Sequence, residues 1–336
     1  MDGGRAMTAV KNALQGALEE IVRVSRELGS DPALVLHGGG NTSIKAMGED
    51  VTGEQIELVL VKGSGWDLGT IESQGFAPLR RARLLQLLRL EKLSDSSMVN
   101  ELRQASLSAS APTASIEALL HAHLPARVVL HSHADAIVAL TDQPDGLRRA
   151  AEVLGERVAV LPYIMPGFDL ARMVASTELA DADAIVLANH GLFTFADDAD
   201  AALDRHRALV AAASAALGME HWGVEGEIVQ RAGTPIELAT LRRDIARTAG
   251  RPLLLRQSAS ERALRFAGRD DLAAVTSRGT ATPEHVIRTK RVPLLGVDVD
   301  DYSERYLRYV AENRGDGEYT VLDPAPASSS TPSSAC

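Results

Sequence analysis

His131-Ser132-His133 sets two imidazoles two residues apart at the end of the apolar run Val128-Val129-Leu130. Side chains two apart on a strand share a face, so this pair can converge on one ion. A third imidazole, His190, stands in Ala188-Asn189-His190-Gly191-Leu192, directly after the apolar Ala184 to Leu187. Three neutral imidazoles leave at least one coordination position open, as in a catalytic rather than a structural zinc site. Spacing alone leaves a satisfied structural or surface pair equally open. His121, His123, His206 and His221 fall on predicted helical faces, where ligation is not expected, and His37 beside a glycine cluster is ambiguous.

Two glycine-rich segments extend the chemistry. Gly38-Gly39-Gly40-Asn41-Thr42-Ser43 lacks the Gly-x-Gly-x-x-Gly order of a dinucleotide fingerprint. Its glycines allow backbone N–H groups close to an anion, and its amide and hydroxyls add donors, so it can cradle a phosphate. Lys62-Gly63-Ser64-Gly65 adds a cation and another hydroxyl. Either segment alone reads as a turn; the pair at strand ends points to phosphate binding. Glu117, near the start of a predicted helix, has the common role of helix-start electrostatics or capping open to it. Beside a carbonyl held by a metal, the same carboxylate is a general base.

The elements that must position these residues follow from periodicity. Met7 to Leu28 reads as an amphipathic helix stopped at Gly29. The apolar runs Ala33 to Leu36 and Ile56 to Val61 read as strands that run into the two glycine segments. Leu79 to Leu93, Ser115 to Leu124 and Asp197 to Leu217 read as helices, and Arg127 to His133, Arg157 to Ile164 and Ala184 to Ala188 as buried strands. This alternation predicts α/β layers around one sheet. Residues 1–222 form the predicted catalytic domain, 223–322 an extension or small helical subdomain with a helix at Thr234 to Thr248, and 323–336 a disordered tail rich in Pro, Ser and Ala.

Composition narrows the class. With 336 residues, 45% hydrophobic and 24% charged, the chain can bury a substantial core. A net charge of −10 and a pI near 5.4 argue against a nucleic-acid binder. The one cysteine, Cys336, excludes an intramolecular disulfide and thiolate clusters. No apolar run reaches the roughly 20 residues that span a bilayer, so a soluble cytoplasmic protein without a membrane partner is expected.

Five segments in order, the Gly-Gly-Asn-Thr-Ser loop, Lys-Gly-Ser-Gly, Ser115-Ile116-Glu117-Ala118-Leu119-Leu120-His121, His-Ser-His and Asn-His-Gly-Leu, resemble the class II aldolase/adducin family across Leu14 to Leu217. The resemblance implies a three-layer α/β/α fold with a mainly antiparallel central sheet. It makes His131, His133 and His190 the ligands of one divalent ion per subunit, Zn first, with Mn, Co, Ni or Fe also accepted. It makes Glu117 the acid/base carboxylate and puts Gly40, Asn41, Thr42, Ser43, Lys62, Ser64, Gly65 and Ser115 on the substrate and phosphate segments. It implies that Tyr163, in Leu161-Pro162-Tyr163-Ile164-Met165-Pro166-Gly167, reaches a neighbouring subunit's site as a proton donor, and it implies a homotetramer. Thr282-Pro283-Glu284-His285-Val286-Ile287-Arg288-Thr289-Lys290 looks like the aldolase half of bifunctional rhamnulose-1-phosphate aldolase/short-chain dehydrogenase proteins, with the chain ending about where the dehydrogenase half begins.

The expected reaction is reversible cleavage of a ketose 1-phosphate of the rhamnulose or fuculose type to dihydroxyacetone phosphate and a small aldehyde. Decarboxylation, epimerisation or dehydration through the same enediolate chemistry, on a phosphorylated sugar or keto acid, is the nearest alternative. A metal-dependent oxygenase and a non-catalytic adducin-like scaffold are the others.

Overall fold

The computed structural model describes residues 3–179, 181–219, 234–258, 260–283, 285, 289–315, 320–331 and 334–335. The chain divides into two units, Met1–Trp222 and Gly223–Cys336. The first is built on a seven-stranded sheet: β1 (Asn41–Glu49), β2 (Gln55–Lys62), β3 (Phe76–Arg80), β4 (Val128–Ser132), β5 (Val158–Leu161), β6 (Ala184–Leu187) and β7 (Gly191–Ala196). Their order is β3-β2-β1-β4-β7-β6-β5, and every pairing is antiparallel except β5 with β6.

Period-2 alternation sorts the strand residues into two cores, one on each face of the sheet. Leu58 and Leu60 of β2 with Val128 and Leu130 of β4 face α1 (Gly3–Gly29) and α8 (Ala199–Ala216), where Ile21, Val24, Leu28 and Leu203 are buried. Val59 and Val61 with Val129 and Phe193 face the other way, against α2 (Arg81–Leu87), α3 (Asp95–Ala105), α4 (Ala118–His123) and α7 (Phe168–Ser176). Two short helices, α5 (Asp135–Thr141) and α6 (Gly146–Leu154), add Ile137, Leu140 and Ala150 to the first core. The result is the expected α/β/α sandwich with a mainly antiparallel sheet. Truncating a fully buried leucine such as Leu130 in either core costs about 2–5 kcal/mol.

Several boundaries differ from the sequence reading. Ala33 to Leu36 forms no strand, with Ala33 and Leu34 in a turn, and the glycine cluster leads into a strand, β1, rather than out of one. Hydropathy hides β1 because Asn41, Thr42, Ser43 and Lys45 are all buried in it, each with a side-chain hydrogen-bond partner. The predicted helix over Leu79 to Leu93 begins in the strand β3, and only Arg81–Leu87 is helical.

The second unit contains α9 (Pro235–Ala249), α10 (Glu261–Ala267), α11 (Leu272–Thr276) and α12 (Val299–Asn313). Thr234 and Glu237 close a capping box at the start of α9, and Gly250 ends it at φ 67°, a left-handed position that favours glycine. Leu241, Ile245, Leu294, Val299, Tyr302 and Ala325 form the core. The tail read as disordered carries structure: β9 (Ser329–Thr331) pairs parallel with β8 (Leu294–Leu295) and antiparallel with β10 (Ser334–Ala335), and Ala325 and Ser329 are buried. Its small residues pack against a core supplied by α9 and α12, so they need not bring apolar bulk of their own.

Candidate active site

The three histidines meet at one edge of the sheet. His131 lies on β4, His133 one residue beyond that strand, and His190 in the three-residue turn between β6 and β7. One ring nitrogen from each lies within 4.8 Å of the others, and the ring centroids are 4.8 to 5.0 Å apart. The turn is set by its sequence. Asn189 takes a left-handed φ of 56°, tolerated best by Asn after Gly, and is fixed by its N–H to Thr141 Oγ1 at 3.0 Å and its amide to Asp142 Oδ1 at 2.7 Å. Gly191 is required by crowding. A Cβ there would stand 2.2 Å from the Ser132 carbonyl oxygen, 3.0 Å from His131 Cε1 and 3.1 Å from His133 Cδ2.

The donor set suits a divalent cation. His131 Nδ1–H donates to the Leu192 carbonyl at 3.0 Å, which leaves Nε2 as the lone-pair nitrogen. That Nε2 is buried, has no hydrogen-bond partner, and lies 3.5 Å from Glu117 Oε2. A bare imidazole nitrogen and a carboxylate oxygen are both acceptors, and a cation satisfies both. Burial, reinforced by His133 and His190, pushes the His131 pKa well below its usual range, and burial followed by His133 pushes His190 down to about 3. Both rings are thus neutral, the form that ligates metal. Phe193 stacks on His131 at 3.9 Å and excludes water from that side.

Glu117 immediately precedes α4 but makes no side-chain cap, so the helix-capping role is not the one it plays. Its carboxylate is 5% exposed, with Oε1 3.6 Å from His190 Nε2 and Oε2 accepting from Asn41 Nδ2 at 2.6 Å. Asn41 Oδ1 in turn bonds His121 Nε2, and His121 Nδ1 bonds Ser43 Oγ at 2.7 Å. An amide oxygen only accepts, so His121 carries its proton on Nε2 and accepts the Ser43 hydroxyl on Nδ1. This fixes the Asn41 amide with its NH2 toward Glu117. Burial, with Lys45 adding to it, lowers the His121 pKa to about 3, so the ring stays neutral and the chain keeps its polarity.

The glycine segments split into two groups. Lys62 is 2% exposed and donates to the carbonyls of Gly38 at 2.7 Å and Gly40 at 2.9 Å, pinning the first segment. Gly40 has φ 58°, and a Cβ there would stand 2.7 Å from the His131 carbonyl oxygen. Thr42 points to the opposite face from Asn41 and Ser43, where it meets Ser25 Oγ at 2.6 Å. Thr42 and Ser43 are therefore fully buried, with their hydroxyls committed to internal partners. Ser64 and Gly65 are exposed, and Ser115 is half-buried beside them: Ser115 N–H reaches the Lys62 carbonyl at 3.0 Å and Ser64 N–H the Thr113 carbonyl at 2.8 Å. Tyr163 is 54% exposed in the segment between β5 and α7.

Sequence reasoning missed the role of His121, although its place four residues after Glu117 puts both on one helical face. It also missed the support behind β4. Ser132 Oγ meets His206 Nε2 at 2.6 Å, and His206 Nδ1 meets Thr194 Oγ1 at 2.9 Å, so the Ser between His131 and His133 anchors to α8. His221 lies outside the described residues.

Residues 19–217, more than half of the chain, match the family model described as class II aldolase and adducin N-terminal domain, and residues 233–335 match that of the aldolase class II second domain. The N-terminal class II aldolase domain of a conserved protein from Thermoplasma acidophilum is 44% identical, covering 60% of this chain and 93% of that one, with TM-score 0.58. The l-fuculose-1-phosphate aldolase of Thermus thermophilus is 19% identical, covering 62% and 98%, with TM-score 0.39. The uncharacterized oxidoreductase YuxG of Bacillus subtilis (strain 168) is 28% identical over 93% of this chain and 49% of its own length, so the chain spans about half of that curated relative. By sequence match, sheet and histidine cluster together, the chain belongs to the class II aldolase and adducin family.

Proposed function

We propose that the protein is a metal-dependent lyase that reversibly cleaves a ketose 1-phosphate, of the rhamnulose or fuculose type, to dihydroxyacetone phosphate and a small aldehyde. The observation that carries this reading is the buried Glu117 carboxylate set against the ring nitrogens of His131 and His190, in a site whose third imidazole is His133. His131, His133 and His190 would hold one divalent ion, zinc first, and such an ion supplies Lewis-acid stabilisation of the negative charge that develops on the substrate oxygens. Glu117 Oε1 faces the histidine cluster and Oε2 is held by Asn41, and this carboxylate would move the proton at the carbon next to the carbonyl. The Asn41 hydrogen bond orients the carboxylate before substrate arrives. Ser64, Gly65 and Ser115 would meet the phosphate, whose binding orients the reacting end. Thr42 and Ser43, bonded to Ser25 and His121, would fix β1, and Lys62 fixes the Gly38–Gly40 backbone. In a cytoplasmic homotetramer, the exposed Tyr163 would serve the leaving aldehyde in a neighbour's site.

The test is metal analysis of the purified protein beside a His131→Ala/His133→Ala variant, with aldehyde release assayed on both 1-phosphates. Bound metal with cleavage, both lost in the variant, supports the reading. Bound metal with no aldehyde from either substrate overturns the aldolase assignment and moves the search to decarboxylation, epimerisation or dehydration. No stoichiometric metal in replete buffer overturns the site itself.

A further inference from the structure

The second unit contains a cavity of about 310 Å³ that the reaction above does not use. Its apolar wall is Ile245 and Ala249, one turn apart on α9, with Leu253 and Ala325. Arg242, Arg251 and Lys290 also line it, against a single carboxylate, Asp323, whose Oδ1 accepts the Ala325 N–H at 3.2 Å.

These cations differ from their neighbours in how they are satisfied. Arg243 is paired with Asp244, Arg247 with Asp300, Arg265 with Glu261, Arg269 with Asp271 and Arg305 with Asp301. Around the cavity, Arg242 instead donates to the Leu253 carbonyl at 3.3 Å, and Lys290 Nζ sits 5.0 Å from the Tyr306 ring centroid. Among the described residues, neither these two nor Arg251 is paired with a carboxylate. The rim is apolar and wet: Leu254 is fully exposed and Leu322 is 57% exposed, and both line the same cavity.

We propose that this cavity binds a small organic anion, an oxyanion head group on a short aliphatic body. The walls take the aliphatic part and Arg242, Arg251 and Lys290 the head group, since cations lining an apolar pocket complement that chemistry. The volume falls at the small end of ligand pockets, about 300–1,000 Å³. The site is complete within residues 242–329, so it stands or falls apart from the lyase reading.

The experiment uses the full chain with 8-anilinonaphthalene-1-sulfonate as a fluorescent amphipathic anion, displaced by hexanoate, hexyl phosphate, inorganic phosphate or hexanol. Hexanoate or hexyl phosphate should displace the dye, the stronger of the two identifying the head group. Hexanol and inorganic phosphate should each act at least 10-fold more weakly than that anion. Arg242→Ala and Lys290→Glu should each weaken the anion at least 10-fold, with Arg243→Ala, whose guanidinium is paired with Asp244, unchanged. Because Arg242 also ties down Leu253, Lys290→Glu decides the case if the first variant melts early. Displacement by hexanol or inorganic phosphate as strong as by the anions overturns the proposal, as does parent-like anion binding in Lys290→Glu.

Discussion

The proposed reaction turns on one carboxylate, Glu117, whose two oxygens face different partners: Oε1 the His190 ring and Oε2 the Asn41 amide. If Glu117 is the base, Glu117→Gln removes it and keeps the shape, so the variant should retain metal and lose about 10²–10⁴-fold in kcat. Loss of metal along with activity would make Glu117 a ligand instead. Asn41→Ala leaves Oε2 without its 2.6 Å donor, and kcat should fall by about 10–100-fold, the usual cost of losing an orienting partner. An unchanged kcat would show that Asn41 does not orient the base. His206 gives a pH prediction away from the reaction. Burial, with Arg207 adding to it, holds its pKa at about 3, against roughly 6.5 in the unfolded chain. Between those values the unfolded state binds one proton more than the native state, so this group's stability is complete above about pH 6.5 and is lost as pH falls toward 3. In metal-free protein, urea unfolding from pH 7.5 to 5 should therefore show a shallower loss in His206→Gln than in the parent, by about 1.4 kcal/mol per pH unit at most. Parallel curves would refute the argument.

At the scale of elements, the short turn between β6 and β7 brings His190 to the pair on β4. Gly191→Ala puts a methyl 2.2 Å from the Ser132 carbonyl, backbone against side chain, with no flexible group to yield. β4 and β7 must part, and the variant should lose several kcal/mol of stability, as overpacking of about 1–3 kcal/mol combines with broken ladder bonds. Its metal affinity should fall with it, read by competition with a chelator. Gly16→Ala, on α1 with nothing within 4 Å of the new methyl, is the control and should melt no lower than the parent. Wild-type metal affinity in Gly191→Ala would refute the crowding argument. The same elements explain what could be read beforehand. His131, His133 and His190 follow apolar strands, so hydropathy found the strands, and spacing marked three imidazoles that the structure brings together. β1 was invisible because Asn41, Ser43 and Lys45 are polar groups buried on one face of it, satisfied by Glu117, His121 and the Ala126 carbonyl far along the chain. Periodicity reports burial only where burial is apolar. For the same reason Thr42 and Ser43 read as ligands of a phosphate, although their partners are Ser25 and His121.

At the scale of the molecule, every residue assigned to the lyase site lies between Gly40 and His190, and both cores that flank the seven-stranded sheet lie between Leu14 and Met219. Those cores bury Ile21, Leu58, Leu130, Phe193 and Leu203 almost completely, so residues 1–222 hold enough apolar contact to fold without the second unit. A fragment ending at Trp222 should accordingly melt cooperatively and bind divalent metal with the affinity of the full chain. That a 44% identical domain stands alone in its own structure, covering 93% of that chain, supports the division. Anion binding at the α9 cavity should be absent from the fragment, because Arg242, Arg251 and Lys290 are all removed with the second unit. Chelator competition and thermal melting on the two proteins decide it. A fragment that folds but binds metal at least 10-fold more weakly would show that the second unit completes the histidine site rather than carrying a separate task.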